Sequence, residues 1–407
     1  MFSDRIRWIL GAAVSLPVLF AAPGVASAQV EVGGLENVDP FGRGYLADGE
    51  QAMPTHMWQA SNTDTLLALM EDVRTSALTP AERTLLRRVV LSPATGPSGD
   101  QAGALLAERA RIMFELGEAT AAADLLGRLE ENPTGLDAAT LAVDLQLALG
   151  QSATACEAGR NKPADAGPFW AKLRTVCAIL RGDMPAAELA AELASAQGVE
   201  EAWFFDAVFA ATGGTGDGPP ARYDTGLNLA LSIAGDLEPP QRAIADSRSD
   251  LAAAMAERDA LPIELRVLAA GLAAEAGLIT PARHRALYKD LVSRDGFTPA
   301  QPIDVAMYTL IDEEAPIGEQ ARQVASALRA AQGNAARFAA VARLFAADVE
   351  ALPRERETFR HALVFAQAAL GAEAPDQART WLDGLEAFLN TQAEAEAEAA
   401  MGNPQSV

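Results

Sequence analysis

Three stretches of the sequence end in a glycine at nearly constant spacing: RARIMFELG at residues 109–117, AVDLQLALG at residues 142–150 and TVCAILRG at residues 175–182. A fourth, DAVFAATGG, covers residues 206–214, and the successive closing glycines are 33, 32 and 31 residues apart. Glycine is favoured just after a helix because it adopts the left-handed conformation without a Cβ penalty. A new helix follows each time, so hairpins repeated at this period predict a stacked α-solenoid.

Helix start signals occur throughout the chain. Thr79 can cap a helix, Pro80 suits the first helical position, and Glu82 completes a capping box. The same Thr-Pro pair recurs at residues 280–281 and 298–299. We find no alternating apolar pattern typical of a strand, and the abundant Ala, Leu, Glu and Arg are good helix formers. The sequence therefore predicts an all-α fold.

A small residue stands five positions after several of the closing glycines. These residues are Ala122, Ala155, Ala187 and, after Gly277, Ala282. The Gly-x4-Ala spacing resembles the core of tetratricopeptide-like repeats, in which the small residue lets two antiparallel helices approach closely. The match covers residues 103–214 well and the rest loosely, and Phe338 and Asp376 take the position after Gly333 and Gly371. The resemblance implies an α-solenoid of antiparallel hairpins; a less regular helical array is the alternative.

Composition shifts divide the chain into five predicted segments. We expect a signal peptide at 1–28, an extended or disordered leader at 29–60, two helical-repeat halves at 61–218 and 219–390, and an acidic tail at 391–407. The leader is rich in Gly, Asp and Pro, and the stretch GGTGDGPP separates the two halves. Glycine and proline are strong breakers of regular structure, so they mark these boundaries.

The first segment has the three parts of a secretory signal peptide. Arg5 and Arg7 precede an apolar run at residues 8–22, and a small-x-small pattern ends at Ala28, before Gln29. The apolar run is shorter than the roughly 20 residues of a spanning helix, which favours cleavage over a retained anchor. An alanine-rich, lysine-poor composition is typical of a GC-rich bacterial genome. We therefore expect a periplasmic or secreted bacterial protein.

Cys156 and Cys177 are the two cysteines of the chain. They fall on successive helices joined by a turn at residues 162–167, at similar distances from that turn. In an oxidising compartment such a pair is expected to form a disulfide. Two free cysteines in a core are the alternative.

Charge and composition limit the classes of function. The formal net charge is −23, which argues against nucleic-acid binding and favours a basic partner, although solubility alone also explains it. The chain lacks a Gly-x-Ser-x-Gly or His-Glu-x-x-His motif, and its three histidines, His56, His284 and His361, are scattered. We therefore expect no catalytic residue, no cofactor, no metal site and no membrane insertion of the mature chain.

Aromatic residues provide the candidate partner contacts. Phe41 and Tyr45 lie in the leader, and Trp203 and Phe204 belong to the densest aromatic group of the sequence. The leader could instead fold back onto the first helices, and the aromatic group could be core packing. We expect an exported, non-enzymatic scaffold that binds a protein or peptide. The alternatives are an envelope glycan-processing enzyme with dispersed carboxylates and a self-assembling structural component of the envelope.

Overall fold

The computed structural model describes residues 40–75, 78–129, 134–216, 218–240, 242, 244, 247–312 and 314–401, with side chains up to residue 396. Within these ranges every regular element is a helix, apart from an isolated β-bridge between Asn62 and Ser98. The prediction of an all-α fold is therefore confirmed for the described part of the chain.

The first ten α-helices follow a short 3-10 helix at Pro40–Gly42. They are α1 Thr63–Glu71, α2 Pro80–Leu91, α3 Ala102–Glu115, α4 Ala119–Leu126, α5 Ala138–Ala148, α6 Ser152–Arg160, α7 Pro168–Leu180, α8 Met184–Ala196, α9 Ala202–Ala211 and α10 Gly226–Ala234. The predicted capping box of α2 is present: the Thr79 side chain accepts a hydrogen bond from the Glu82 backbone, and the Glu82 carboxylate accepts one from the Thr79 backbone.

Ten further helices complete the described chain. They are α11 Ser249–Ala256, α12 Ile263–Glu275, α13 Pro281–Val292, α14 Pro302–Ile311, α15 Ile317–Ala331, α16 Ala335–Leu344, α17 Ala346–Ala351, α18 Arg356–Phe359, α19 Ala362–Gly371 and α20 Pro375–Met401. Thr280 caps α13 as predicted. The signal at residues 298–299 does not start a helix, because Gln301 forms a capping box with Asp304 and α14 begins at Pro302.

The repeating glycines end helices where the sequence predicts. Gly117, Gly150, Gly182 and Gly213 have φ angles of 93°, 79°, 74° and 92°, in the left-handed region that favours glycine. The helices flanking the first three glycines pack together as the pairs α3–α4, α5–α6 and α7–α8. These three turns therefore join consecutive helices that pack on each other.

The small residues after these glycines lie where helices pack closely. Ala122, Ala155 and Ala187 are completely buried, at 0% exposure, and each is the fourth residue of its helix. Ala282 is exposed, so the repeat register fails there. The reason is that α13 begins only one residue earlier, at Pro281, which moves Ala282 away from the packed face.

Packing also joins helices that are far apart in sequence. Helix α5 contacts α10 and α11 as well as its neighbours α4 and α6, and α16 contacts α2. One cluster of buried side chains contains Leu147 together with Leu251 and Ala269. The glycine-rich break between the predicted halves therefore does not separate two cores.

The described part of the leader packs on the helices. Phe41 and Trp58 are each 4% exposed, and their rings meet edge to face with centroids 5.7 Å apart. Backbone hydrogen bonds from Ala94 to Phe41 (2.9 Å) and from Tyr45 to Leu91 (2.7 Å) tie it to the end of α2. Residues 40–60 thus follow the alternative in which the leader folds back onto the first helices, since burying the two aromatic rings favours this arrangement. Residues 29–39 and the last residues of the tail, 402–407, lie outside the described ranges.

The two cysteines join α6 and α7. Their sulfur atoms are at bonding distance and their Cα atoms are 5.7 Å apart, within the range of a disulfide. The predicted pairing of Cys156 with Cys177 is thus present in the structure. Gly159 lies one turn further along α6, and a Cβ atom there would be 2.8 Å from the side chain of Leu173, so the two helices are in close contact.

Candidate functional site

A cavity of about 460 Å³ lies among α12, α13, α15, α16 and the start of α14. Its apolar wall consists of small and branched side chains: Val267, Leu272, Ile303, Ala327, Ala331 and Val341. Alanines on α15 and α16 keep their backbones close to the cavity without filling it. The volume falls in the range of roughly 300–1,000 Å³ that is typical of ligand pockets.

Two polar rings from α13 enter the lining of this cavity. His284 and Tyr288 are four residues apart, so they lie on the same face of the helix, and both line the cavity. The helix start determines that register: the Thr280 side chain accepts a 3.2 Å hydrogen bond from the backbone of Arg283, and Pro281 is the first helical residue. The ring centroids are 5.3 Å apart and tilted by 52°.

His284 is an uncharged polar group within an apolar wall. It is 2% exposed, and among the described residues its Nε2 atom has no hydrogen-bond partner. Burial lowers the pKa of His284 to about 4, so the imidazole is neutral at neutral pH. A neutral imidazole carries one N–H donor and one acceptor nitrogen. The ring can therefore form a hydrogen bond with an incoming group, in a place where few other polar atoms compete.

Tyr288 is buried in the same way, at 7% exposure. Burial is the larger cause and the nearby Asp304 carboxylate the smaller cause of a raised pKa of Tyr288, so the phenol stays protonated. Its hydroxyl makes no hydrogen bond within the part of the chain that the structure describes. The cavity thus contains two neutral hydrogen-bonding groups and no buried charge, which suits an uncharged, mainly apolar ligand group.

Charged residues line the cavity at more exposed positions. The Arg337 Nε atom lies 2.9 Å from Glu275 Oε1, with Arg337 61% exposed and Glu275 20% exposed. Arg242 is also exposed, and Leu268, a large apolar side chain in the same lining, is 59% exposed. The opening therefore combines an exposed leucine with two arginines and one paired carboxylate.

A second cavity of about 470 Å³ continues from the first. Leu272 and Glu275 line both cavities, and the second extends to Leu78 and Arg83 beside α2 and to Asn334 at the start of α16. The Arg83 guanidinium donates a hydrogen bond to the carbonyl of Thr75 and is half-buried. The two cavities are neighbours through these shared lining residues, and we call them together the α12 groove.

Gly271 keeps the first cavity open. It lies within α12 and lines the cavity, and a Cβ atom added at this position would meet no atom within 4 Å. Glycine in a helix interior costs about 0.5–1 kcal/mol relative to alanine, so its presence here lowers helix stability. A side chain at this position would project into open space inside the groove.

The predicted partner contacts lie elsewhere. Trp203 is 7% exposed, Phe204 is 0% exposed, and the Trp203 indole donates a 2.8 Å hydrogen bond to the Pro220 carbonyl. With Phe41 also buried, these three rings are core residues, in agreement with the alternatives of core packing and of a leader that folds back, and their apolar area is already covered. Tyr45 is half-buried, and its hydroxyl donates a 2.9 Å hydrogen bond to Asp124.

Other predicted features fall outside the groove or the described ranges. None of the four aromatic residues lines the α12 groove, and Ala28 and Gln29, at the predicted cleavage point, lie outside the described residues. In the sequence alone, His284 is one of three scattered histidines. The available signal was local: a histidine and a tyrosine at helical spacing directly after a Thr-Pro helix start, and a glycine inside an alanine-rich helix.

Comparison with known proteins gives no family assignment: no protein-family model, curated protein or solved structure matches this chain.

Within the described ranges, no helix has the length and apolar character needed to cross a membrane. In the same ranges, no three side chains of His, Cys, Asp or Glu are grouped so that they could hold a metal ion together.

Proposed function

We propose that this protein is an exported, non-enzymatic scaffold of tetratricopeptide-like helical hairpins that binds an extended segment of a protein partner in the α12 groove. The observation that carries the proposal is the open apolar cavity with the unpartnered ring nitrogen of His284 in its wall. A buried polar group without a partner is costly, about 1–3 kcal/mol, and a bound group that supplies the missing hydrogen bond removes this cost.

The hairpin part of the proposal is supported by the packing of consecutive helices. The pairs α3–α4, α5–α6 and α7–α8 are each closed by a glycine of positive φ and contain a buried alanine at the same helical position. In solenoids of this kind each repeat packs mainly on its neighbours. The contacts of α5 with α10 and α11 are an addition to that scheme, because they join the first half of the chain to the second, where the sequence repeat is weaker.

The shape and charge of the groove define the occupant. The first cavity suits one apolar side chain with a hydrogen-bonding group, and the second cavity gives room for the residues that follow it. Arg83, Arg242 and Arg337 line the groove against a single carboxylate, Glu275, so a carboxylate beside the inserted side chain is favoured. The net charge of −23 acts at longer range and favours a partner whose remaining surface is basic.

A peptide library tests this proposal directly. We expect selection of a displayed random library on the purified protein to enrich peptides with an apolar residue next to Asp or Glu. Gly271→Leu should abolish binding of these peptides, because the new side chain enters the cavity from a position where an added Cβ meets no atom within 4 Å.

The matched control is Gly103→Leu. Gly103 is also a helical glycine with no atom within 4 Å of an added Cβ, but it lies on the exposed side of α3. We expect this variant to bind the selected peptides like the unmodified protein. The proposal fails if the selected peptides bind Gly271→Leu as well as they bind Gly103→Leu, or if no peptide is enriched.

A further inference from the structure

A pocket of about 320 Å³ lies between α6 and α7, away from the α12 groove. Seven residues line it: Cys156, Gly159, Arg160, Leu173, Arg174, Cys177 and Arg181. The lining thus contains three arginines and no aspartate or glutamate. Such a group of basic residues is unexpected in a chain that has 55 acidic and 32 basic residues. It is independent of the proposed function in the α12 groove.

The arginines of this pocket have free hydrogen-bonding capacity. Arg160 and Arg181 are exposed, and neither makes a hydrogen bond or ion pair with any residue that the structure describes. By contrast, the guanidinium of Arg285 forms a two-pronged ion pair with Asp348. Unpaired guanidinium groups facing one pocket repel each other, so their arrangement favours a bound anion that neutralises them.

Arg174 is held in place by the turn between the two helices. Its guanidinium donates hydrogen bonds to the carbonyls of Lys162, Pro163 and Ala164, which positions the side chain before any ligand arrives. A guanidinium has five N–H donors, so donors remain for a ligand after these bonds. Because this side chain is already ordered, a ligand that binds it loses less free energy to ordering.

The two walls of the pocket are joined covalently. The disulfide between Cys156 and Cys177 links α6 to α7 within the lining, and Gly159 brings the two helices into close contact beside it. The backbone positions of Arg160 on one wall and of Arg174 and Arg181 on the other are therefore held at a constant separation. The backbone of this pocket is therefore preorganised, so a ligand loses less free energy to ordering of the two walls.

We propose that this pocket binds a phosphate group. Planar guanidinium groups pair with the oxygens of phosphate and carboxylate in two-pronged geometry. Three arginines favour phosphate over carboxylate, since phosphate carries more negative charge and more acceptor oxygens to share among them. The chain's net charge does not prevent this binding, because exposed charges are screened beyond about 8 Å at physiological ionic strength.

Calorimetric titration of the full-length oxidised protein with inorganic phosphate and with glycerol 3-phosphate, at constant ionic strength, tests the proposal. We expect saturable binding of one phosphate group per chain, weakened about tenfold or more by Arg160→Gln or Arg181→Gln, which remove charge-assisted hydrogen bonds. These two substitutions disturb no hydrogen bond of the described residues. Tighter binding of the ester would identify a phosphomonoester as the ligand, and tighter binding of the free ion would identify inorganic phosphate.

The control is Arg356→Gln, which removes the same charge from another exposed arginine on α18. It should leave phosphate affinity unchanged. The proposal is overturned if neither phosphate compound gives saturable heat, if Arg356→Gln weakens binding as much as Arg160→Gln, or if acetate at the same ionic strength binds as tightly as phosphate.

Discussion

At the scale of single residues, His284 combines burial with an unused hydrogen-bonding atom. Most buried polar atoms in proteins have partners, so an exception requires a reason. His284 lines an open cavity, and under the proposed function a bound group supplies the missing bond. His284 also links the groove to pH, because its ordinary pKa is close to 6.5 and burial lowers the pKa to about 4.

Replacement of His284 by Phe should change how stability depends on pH. Between pH 6.5 and 4 the unfolded chain binds a proton on His284 and the folded chain does not, so stability falls as the pH falls. The free energy of unfolding of the unmodified protein should therefore fall by about 2.5 kcal/mol between pH 7 and pH 4.5 because of His284. This contribution is absent from the variant. Urea unfolding of both proteins at the two pH values measures it. If the free energy of unfolding depends on pH in the same way in both proteins, His284 is not buried in its neutral form.

At the scale of elements, contacts between helices depend on glycines in two opposite ways. At Gly226, the first residue of α10, an added Cβ would lie 1.7 Å from the backbone carbonyl oxygen of Asp144 on α5. The two helices therefore touch backbone to backbone, and glycine is required by contact. At Gly271 on α12 an added Cβ meets nothing, so glycine is required only to keep the groove open.

Alanine substitutions at these two glycines should have opposite effects on stability. We expect Gly226→Ala to destabilise the protein by about 3 kcal/mol or more, because backbone must move to accept the methyl group. Gly271→Ala should stabilise it by about 0.5–1 kcal/mol through better helix propensity. Chemical denaturation of the two variants beside the unmodified protein gives both values. Equal effects of the same sign would show that α5 and α10 are not in this contact.

The disulfide acts on the same scale, because it joins α6 to α7. The bond closes a loop with a sequence separation of 21 residues, and in the chain-entropy model such a bond contributes about 3 kcal/mol. We therefore expect replacement of both cysteines by serine to lower the free energy of unfolding by about this amount. Titration of free thiols in the unfolded, unreduced protein provides a direct check, and two free thiols would exclude the bond.

At the scale of the whole described chain, a buried ionic network connects its two halves. Arg248 forms ion pairs with Asp250 (2.9 Å) and with Asp144 (3.4 Å), and the Asp144 carboxylate accepts a 3.0 Å hydrogen bond from the backbone of Leu227. Asp144 is 5% exposed and Asp250 is 6% exposed. Helices α5, α10 and α11 therefore share charges that only their association satisfies.

Replacement of Arg248 by Leu should loosen both halves together. The substitution leaves the buried carboxylates of Asp144 and Asp250 without their cation, which lowers the free energy of unfolding by about 3–5 kcal/mol. The matched control is Arg283→Leu, whose partner Glu257 is 50% exposed and whose ion pair is worth at most about 1 kcal/mol. Hydrogen exchange measures the outcome: we expect α5 and α11 to lose protection in parallel in Arg248→Leu. Loss of protection in α11 alone would show that the halves open independently.

The sequence by itself determined the local features of this protein. The capping box at Thr79, the cap at Thr280 and the hairpin turn at Gly117 are recoverable from short motifs, because caps and left-handed turns depend on residues within a few positions of each other. The buried alanines such as Ala122 followed from the same spacing. The proximity of Cys156 and Cys177 was also predictable, since a single turn joins their helices.

Only the tertiary structure decided which surfaces are covered. The sequence does not show that Phe41 packs on Trp58, that α5 meets α10, or that His284 lines an open cavity. Each of these features depends on contacts between segments tens of residues apart, and composition alone does not select one such pairing over another. The physical reason is that burial of apolar surface is non-directional, so the choice of partners emerges only from the packing of the whole chain.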